Sequence, residues 1–375
     1  MFLIERAISL LCFAFALLFN CYLISRVKDK QYKIILFAYL LILCFFAWGF
    51  EPHVTSDLYR IREYIQYWVD LSVDGLFEYA STRADPVWVI FSYYTNFLGN
   101  INWMQTISCF WGMSSLFIVV SGIIERFDIK RNNRGWILFY AMCSGAAFIG
   151  LISGIRSPLG TMIVIYCVYK EYFDNRNILV NIPLYFIAAG LHSFSMLLVM
   201  IRLLFLGFQG KSIFSKLFSV FLSILLLLVV FYYGQFYIQS GLDKSDSYIN
   251  NTDEYVYFWS GCISLLIIAM NIFISYKWWT LFQNNEWKRY KTYVVYSLLC
   301  TLGSLCFFPF SFAVFVRLTM FSFYLAMPAF AMILKYGELY PNYLWTCRFI
   351  KFYMCVLCII SFLRGDICGY KFFVL

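Results

Sequence analysis

The chain has 375 residues, of which 62% are hydrophobic, 22% aromatic and only 13% charged, and its formal net charge is +9. Soluble domains carry about 25% charged residues and have no way to hide this much apolar surface from water, so composition excludes an ordinary soluble domain and leaves lipid as the solvent. The basic balance is no sign of nucleic-acid binding, because much of the Lys and Arg lies in short loops between apolar stretches, where cytoplasmic retention of basic residues explains it.

Many apolar stretches approach or exceed the roughly 20 residues a helix needs to cross the hydrocarbon core. In chain order the expected spans are 3–24, 33–50, 104–124, 135–152, 158–173, 213–234, 256–276, 292–309, 313–334 and 344–363. The first holds "AISLLCFAFALLFNCYLIS", has no small-x-small cleavage site and is followed by "RVKDK", so it reads as a retained helix that starts outside. Loops 26–33, 125–134 and 277–291 are net basic and go to the cytoplasm. Loop 50–86 holds Glu51, Asp57, Glu63, Asp70, Asp74, Glu78 and Asp85 against Arg60, Arg62 and Arg83, and it goes outside. Loop 235–255 is equally poor in Lys and Arg and goes outside as well.

Two stretches then spoil the parity of crossings. Residues 87–99 are too few to span upright and read as interfacial or re-entrant. Residues 179–208 lie between two basic loops, and a broken pair of half-helices turning near His192 satisfies those charges. Broken backbone at membrane depth needs a protein or water-filled cavity around it. The expected fold is therefore an all-α polytopic integral membrane protein, a single transmembrane domain over 1–375. It has about 10–12 transmembrane helices and broken or re-entrant segments around an outward-facing cavity. Thirteen cysteines fall almost wholly inside apolar runs, including the Cys355/Cys358 pair, and read as small apolar fillers rather than a disulfide framework.

The polar residues inside this frame are few. "SDLYRIREY" (56–64) puts Asp57, Arg60 and Tyr64 on one helix face, with Ser56 as a candidate cap. Acidic groups, Arg and Tyr beside a membrane suit a carbohydrate and phosphate platform; an amphipathic helix resting on headgroups is the plainer reading. Arg156, between Gly154 and Pro158, and Arg317 both fall on the outer half of their spans. A guanidinium in hydrocarbon costs at least ~2.5–3.5 kcal/mol, so each should face a cavity or a partner. His192 falls at the expected helix break, where packing and catalysis are both open; His53 reads as a loop residue. No Walker A or dinucleotide glycine fingerprint is present, and no ligand spacing points to a metal or other cofactor. Two Arg able to grip phosphate oxygens through paired hydrogen bonds, an outside-facing cavity and an aromatic, acidic loop together suggest an anionic lipid headgroup carrying sugars as the ligand.

Five segments in order, "SDLYRIREY" (56–64), "ADPVWVIFSYYTNFLG" (84–99), "ISGIRSPLGTMIVIYCVYK" (152–170), "AAGLHSFSMLLV" (188–199) and "FVRLTMFSFYLA" (315–326), resemble the EpsG family of polysaccharide polymerases, relatives of the Wzy-type O-antigen polymerases. The resemblance covers about 50–330. It matches Asp57, Tyr59 and Arg60 to a loop element and Asp85 with Pro86 to an acidic-Pro step. It matches Arg156, His192 with Ser193, and Arg317 to polar positions embedded in apolar helices. Two departures stand out: "WGFEPHVTS" occupies the place where relatives have Arg, and Ser157–Pro158 follows Arg156 where Gln is common.

The resemblance implies a glycosyltransferase-type polymerase of O-antigen, capsule or exopolysaccharide units, with its active site facing outward from the bacterial inner membrane. Its substrate would be an oligosaccharide on undecaprenyl diphosphate or a similar polyprenyl diphosphate. A flippase and a chain-length regulator are the further partners implied. Arg156 and Arg317 would bind the diphosphate, His192 or Asp57 would take the acceptor proton, and Tyr59, Arg60, Tyr64, Asp85 and Ser193 would contact substrate. An O-antigen ligase, a membrane O-acyltransferase and a flippase are the competing readings. Moderate outside loops favour polymerase over ligase, and polar residues gathered on the outer half disfavour transport.

Overall fold

Apolar runs that outlast a few turns form helices here, and their outward faces stay apolar. The computed structural model describes residues 2–52, 57–68, 71–83, 85–209, 254–281, 290–309 and 311–367, with 217, 220, 221, 224 and 228. Most of the expected span 213–234, nearly all of loop 235–255, His53 and Ser56 lie outside the described residues.

Sixteen α-helices follow in order among the described residues: α1 (Phe2–Arg26), α2 (Tyr32–Trp48), α3 (Asp57–Trp68), α4 (Val73–Ser81), α5 (Pro86–Asn96), α6 (Asn102–Arg126), α7 (Arg131–Met142), α8 (Ala146–Ile149), α9 (Arg156–Phe173), α10 (Ile178–Leu191), α11 (Ser193–Gln209), α12 (Glu254–Leu281), α13 (Lys291–Phe307), α14 (Phe312–Leu325), α15 (Met327–Leu339) and α16 (Pro341–Ile367). Five segments are long and apolar enough to cross a membrane, Ala7–Arg26, Asn102–Arg126, Phe258–Thr280, Phe312–Gly337 and Tyr343–Ser361, and a bent pair over α7 and α8 makes a sixth. Four shorter apolar helices accompany them. The chain is a multi-pass helical membrane protein.

The helices sort lipid from core by periodicity. On α2, Tyr32, Leu36, Tyr39, Leu43 and Phe46 are buried, and α2 packs on α6. Ile34, Phe37, Leu41 and Phe45 stand exposed on the other side. A helix apolar all round, with one face uncovered, is what lipid solvates. Buried Ser and Thr hydroxyls donate back to carbonyls one turn earlier, as in Thr161 to Ser157, Thr301 to Ser297 and Ser92 to Trp88. Asn271 donates to Ser322 Oγ across α12 and α14 at 3.0 Å. These polar groups at membrane depth find their partners within the protein.

Two expected spans are interrupted. The span 135–152 stops at Met142, where Gly145 takes φ +62, and resumes as α8 with a 46° bend. The span 313–334 has a tightened turn at Ala326, two residues before Pro328, which has no N–H to continue the ladder. Tyrosines on other helices meet the carbonyls at this turn: Tyr140 donates to Phe323 O at 2.9 Å and Tyr293 to Leu325 O at 2.8 Å.

The two ends of the bundle differ in charge. Lys33 pairs with Glu125 at 2.7 Å, Arg126 Nε donates to the Tyr290 hydroxyl, and Lys351 donates to Asn133. The first two contacts bring the starts of α2 and α13 to the end of α6, and the third ties the start of α7 to α16. The acidic segment sits at the other end of α6. There Arg62 donates to Asn102 and Gln105, and Gln105 donates to the carbonyls of Ala47 and Phe50.

Candidate functional site

The site begins with a backbone fault. A π-turn over Gly150–Gly154 ends α8, and Ile155 follows with φ 40 and ψ −69 before α9 starts at Arg156. Positive φ at a β-branched residue is rare and strained by about 1–3 kcal/mol. Ile155 is fully buried, which contributes about 1.5–3 kcal/mol for a side chain of its size and offsets that strain. Gly150 is required here, because a Cβ on it would stand 2.9 Å from the Pro158 ring. Pro158 itself, in the first turn of α9, gives up no helical hydrogen bond. Gly154 and Pro158 flank this turn, while the close approach to the Pro158 ring is at Gly150 and the positive φ at Ile155.

The Arg156 guanidinium, set at the first turn of α9, reaches the carboxylate of Asp85. Nη1 donates to Oδ2 at 2.7 Å, and the two side chains are 26% and 5% exposed. Asp85 precedes Pro86 at the first turn of α5, a place where Asp usually caps its own helix. It does not cap α5; its side chain turns to α9 instead. The Arg156 guanidinium also lies over the Trp88 ring at 5.9 Å. Among the described residues Arg156 makes this one hydrogen bond, so most of its five donors remain for a ligand. Asp85 Oδ1 is buried without a hydrogen-bond partner among the described residues, and Arg83 Nε, at 4.0 Å, is too far to donate. Leaving such an acceptor unmet costs about 1–3 kcal/mol.

Helices α10 and α11 close in on the same place. Both pack on α9, and His192 between them is extended, at φ −166 and ψ 142. Gly190 admits α5, since a Cβ there would sit 2.4 Å from the Val87 side chain. Gly160 admits α11 in the same way, with Ser195 Oγ 2.2 Å from where its Cβ would be. The His192 ring is a cap: Nδ1 accepts from the Phe194 N–H at 3.0 Å. A backbone N–H donates only to an unprotonated nitrogen, so the neutral ring carries its proton on Nε2. In that state the one ring lone pair accepts the Phe194 N–H. Ser193 opens α11 directly after it.

The remaining expected residues are placed as follows. Asp57 and Arg60 form an ion pair with each other at 2.9 Å on half-exposed α3, and Tyr59 is on the same helix. Tyr64 is 60% exposed on that helix. α3 packs on the π-turn and on α5, so the loop element lies beside Arg156 without a described bond to it. Arg317 is in the second turn of α14, which touches α9. Tyr290 ties the start of α13 to the basic end, so the α13–α14 turn, and Arg317 with it, lies toward the end where α9 begins.

Two polar clusters escape sequence reasoning. Burial draws the Arg62 guanidinium below its ordinary value, against the opposing pull of Glu51, and Arg62 joins α3 to α6. Deep in the bundle, Arg202 grips Glu171 with Nε and Nη2 at 2.8 and 2.7 Å. Asn181 and Tyr185 donate to the other carboxylate oxygen, and Arg202 Nη1 donates to Tyr172. Arg202, in "SMLLVMIRLLFLG", carries the signal that singles out Arg156 and Arg317, an Arg inside an apolar run. Its partners could not be read from that signal.

Neither of the two grooves described is the outward-facing cavity expected from the sequence. One groove of 420 Å³ and one of 860 Å³ both open at the basic end, the larger beside Lys33, Phe37, Phe117, Glu125 and Lys170. At the other end α3, α5, the π-turn and α10 pack together around Asp85 and Arg156. No group of three His, Cys, Asp or Glu among the described residues could hold a metal ion. Comparison with protein-family models, with curated proteins and with solved structures finds no match to this chain in any of the three.

Proposed function

We propose that the chain is a polymerase of lipid-linked oligosaccharide units, moving a glycan from its polyprenyl diphosphate carrier to the sugar end of another lipid-linked unit. The observation that carries this reading is the Asp85–Arg156 pair, which joins two segments of the family-like series at a strained helix start. Arg156 has donors to spare for phosphate oxygens, in the planar fork that suits them, and is a quarter exposed. Its role is to bind the diphosphate and stabilise the negative charge that builds on it as the glycan departs. Arg317, toward the same end of the bundle, is its partner in that task. The Asp57–Arg60 pair and Tyr59 and Tyr64 on α3 suit sugar hydroxyls and ring faces. The basic end is cytoplasmic and the Asp85–Arg156 end faces outward, in a bacterial inner membrane.

Deletion of the gene, with surface polysaccharide run on a gel, tests the reaction. A polymerase leaves a single capped repeat and no long ladder. Loss of every repeat from the lipid core would mark a ligase, and an unchanged ladder would refute both. Complementation with Arg156→Lys or Arg156→Gln should fail to restore the ladder, because neither offers the forked cation. Normal chain lengths with either variant would remove Arg156 from the mechanism.

A further inference from the structure

Three observations converge on one carboxylate oxygen. Asp85 Oδ2 is held by Arg156, while Oδ1 is buried and has no hydrogen-bond partner among the described residues. The Asp85 side chain is 5% exposed and is not used to cap α5. The two groups expected to act as bases are otherwise engaged: His192 Nδ1 caps α11, and Asp57 is paired with Arg60 on a half-exposed helix.

We propose that Asp85 is the general base, and that its ion pair with Arg156 is a latch that the diphosphate opens. The inference rests on the glycan-transfer reading above. In the resting chain Arg156 neutralises Asp85 at Oδ2, and Arg83 stands 4.0 Å from Oδ1, a second cation that stays when Arg156 is drawn away. An arriving diphosphate, with more negative charge and more oxygens, takes the guanidinium, and Asp85 is left beside the anion with its oxygens turned to the acceptor. The acceptor hydroxyl oxygen bonds to the anomeric carbon, and its proton passes to Asp85. The bond from that carbon to the diphosphate oxygen breaks, and its electron pair leaves with the diphosphate on Arg156. Protonated Asp85 then returns the proton to solvent and re-forms the pair. Proton removal thereby waits for the donor, so the acceptor hydroxyl is not activated at an empty site.

The test uses the full chain in lipid nanodiscs with two readouts. One is chain growth on lipid-linked repeat units extracted from cells lacking this gene. The other is binding of farnesyl diphosphate, which has a diphosphate headgroup but no acceptor. Asp85→Asn should lower chain growth at least about 100-fold, in the range of a lost general base. It should bind farnesyl diphosphate as well as the unaltered protein or up to about tenfold more tightly, because Arg156 no longer has a charged competitor. Asp85→Glu should recover part of the growth. Arg156→Gln should weaken farnesyl diphosphate binding at least about tenfold, a loss of one charge-assisted contact.

Growth by Asp85→Asn within threefold of the unaltered protein would overturn the proposal and leave the polymerase reading intact. So would loss of farnesyl diphosphate binding by Asp85→Asn, which would make Asp85 a scaffold. Failure of the unaltered protein to bind farnesyl diphosphate would refute the diphosphate role of Arg156, and the latch with it.

Discussion

At the scale of single residues, the membrane makes every charge a statement about its partner. Glu171 and Arg202 are both nearly fully buried, and each carboxylate oxygen accepts at least one described hydrogen bond. Such a pair is a poor source of net stability but a large liability when halved. Arg202→Leu alone should therefore destabilise the protein by about 3–5 kcal/mol, seen as a lower melting temperature in detergent. The double variant Glu171→Leu/Arg202→Leu should recover most of that loss, because no charge is then left unpaired. A double variant as unstable as the single one would show that Asn181 and Tyr185 need the carboxylate more than Arg202 does. Asp85 and Arg156 differ from this pair in being incompletely satisfied. Asp85 Oδ1 is one of several buried atoms without a partner among the described residues, and it is the one that belongs to a carboxylate.

At the scale of elements, helix ends and glycines decide how α9, α10 and α11 meet. His192 is both the end of α10 and the cap of α11. His192→Ala should cost about 1 kcal/mol, the usual value of a lost cap, and His192→Asn only a few tenths, since Asn is itself a good cap. Thermal melting of the two variants checks this, and equal melting temperatures would show that the cap carries no weight. Gly160 faces Ser195 at a distance no side chain permits. Gly160→Leu should force α9 and α11 apart, lowering stability by about 1–3 kcal/mol as overpacking does, measured in the same way. α5 has 11 residues, about 16 Å of helix, which is too short to cross hydrocarbon. Its burial against α4, α6 and α10 accounts for an apolar run of that length.

At the scale of the whole molecule, the end-to-end charge difference predicts orientation. Cysteines introduced at Lys28 and at Arg176 should react with a membrane-impermeant maleimide only after permeabilisation. A cysteine at Glu78, in the acidic segment, should react in intact cells. Labelling at Lys28 from outside would invert the orientation and put the Asp85–Arg156 end in the cytoplasm.

Solvent preference could be read from the sequence at all three scales. Apolar run lengths located α1, α6, α12 and α16 closely, and loop charge separated the ends that Lys33–Glu125 and Arg62–Gln105 later mark. Gly154 and Pro158 announced the break at Arg156, because backbone punctuation is a local property. Partnership could not be read, since it depends on which helices pack. Asp85 and Arg156 lie 71 positions apart, and Glu171 and Arg202 lie 31 apart. The bend after Met142 and the turn at Ala326 were also hidden, because uninterrupted hydropathy does not register a glycine at positive φ or carbonyls met by distant tyrosines. The sequence by itself determined that the chain is helical, that lipid surrounds it, and which few polar side chains had to be explained. Tertiary structure decided which of them is satisfied and which is not, because the energy of a buried charge is set by the atoms packed against it.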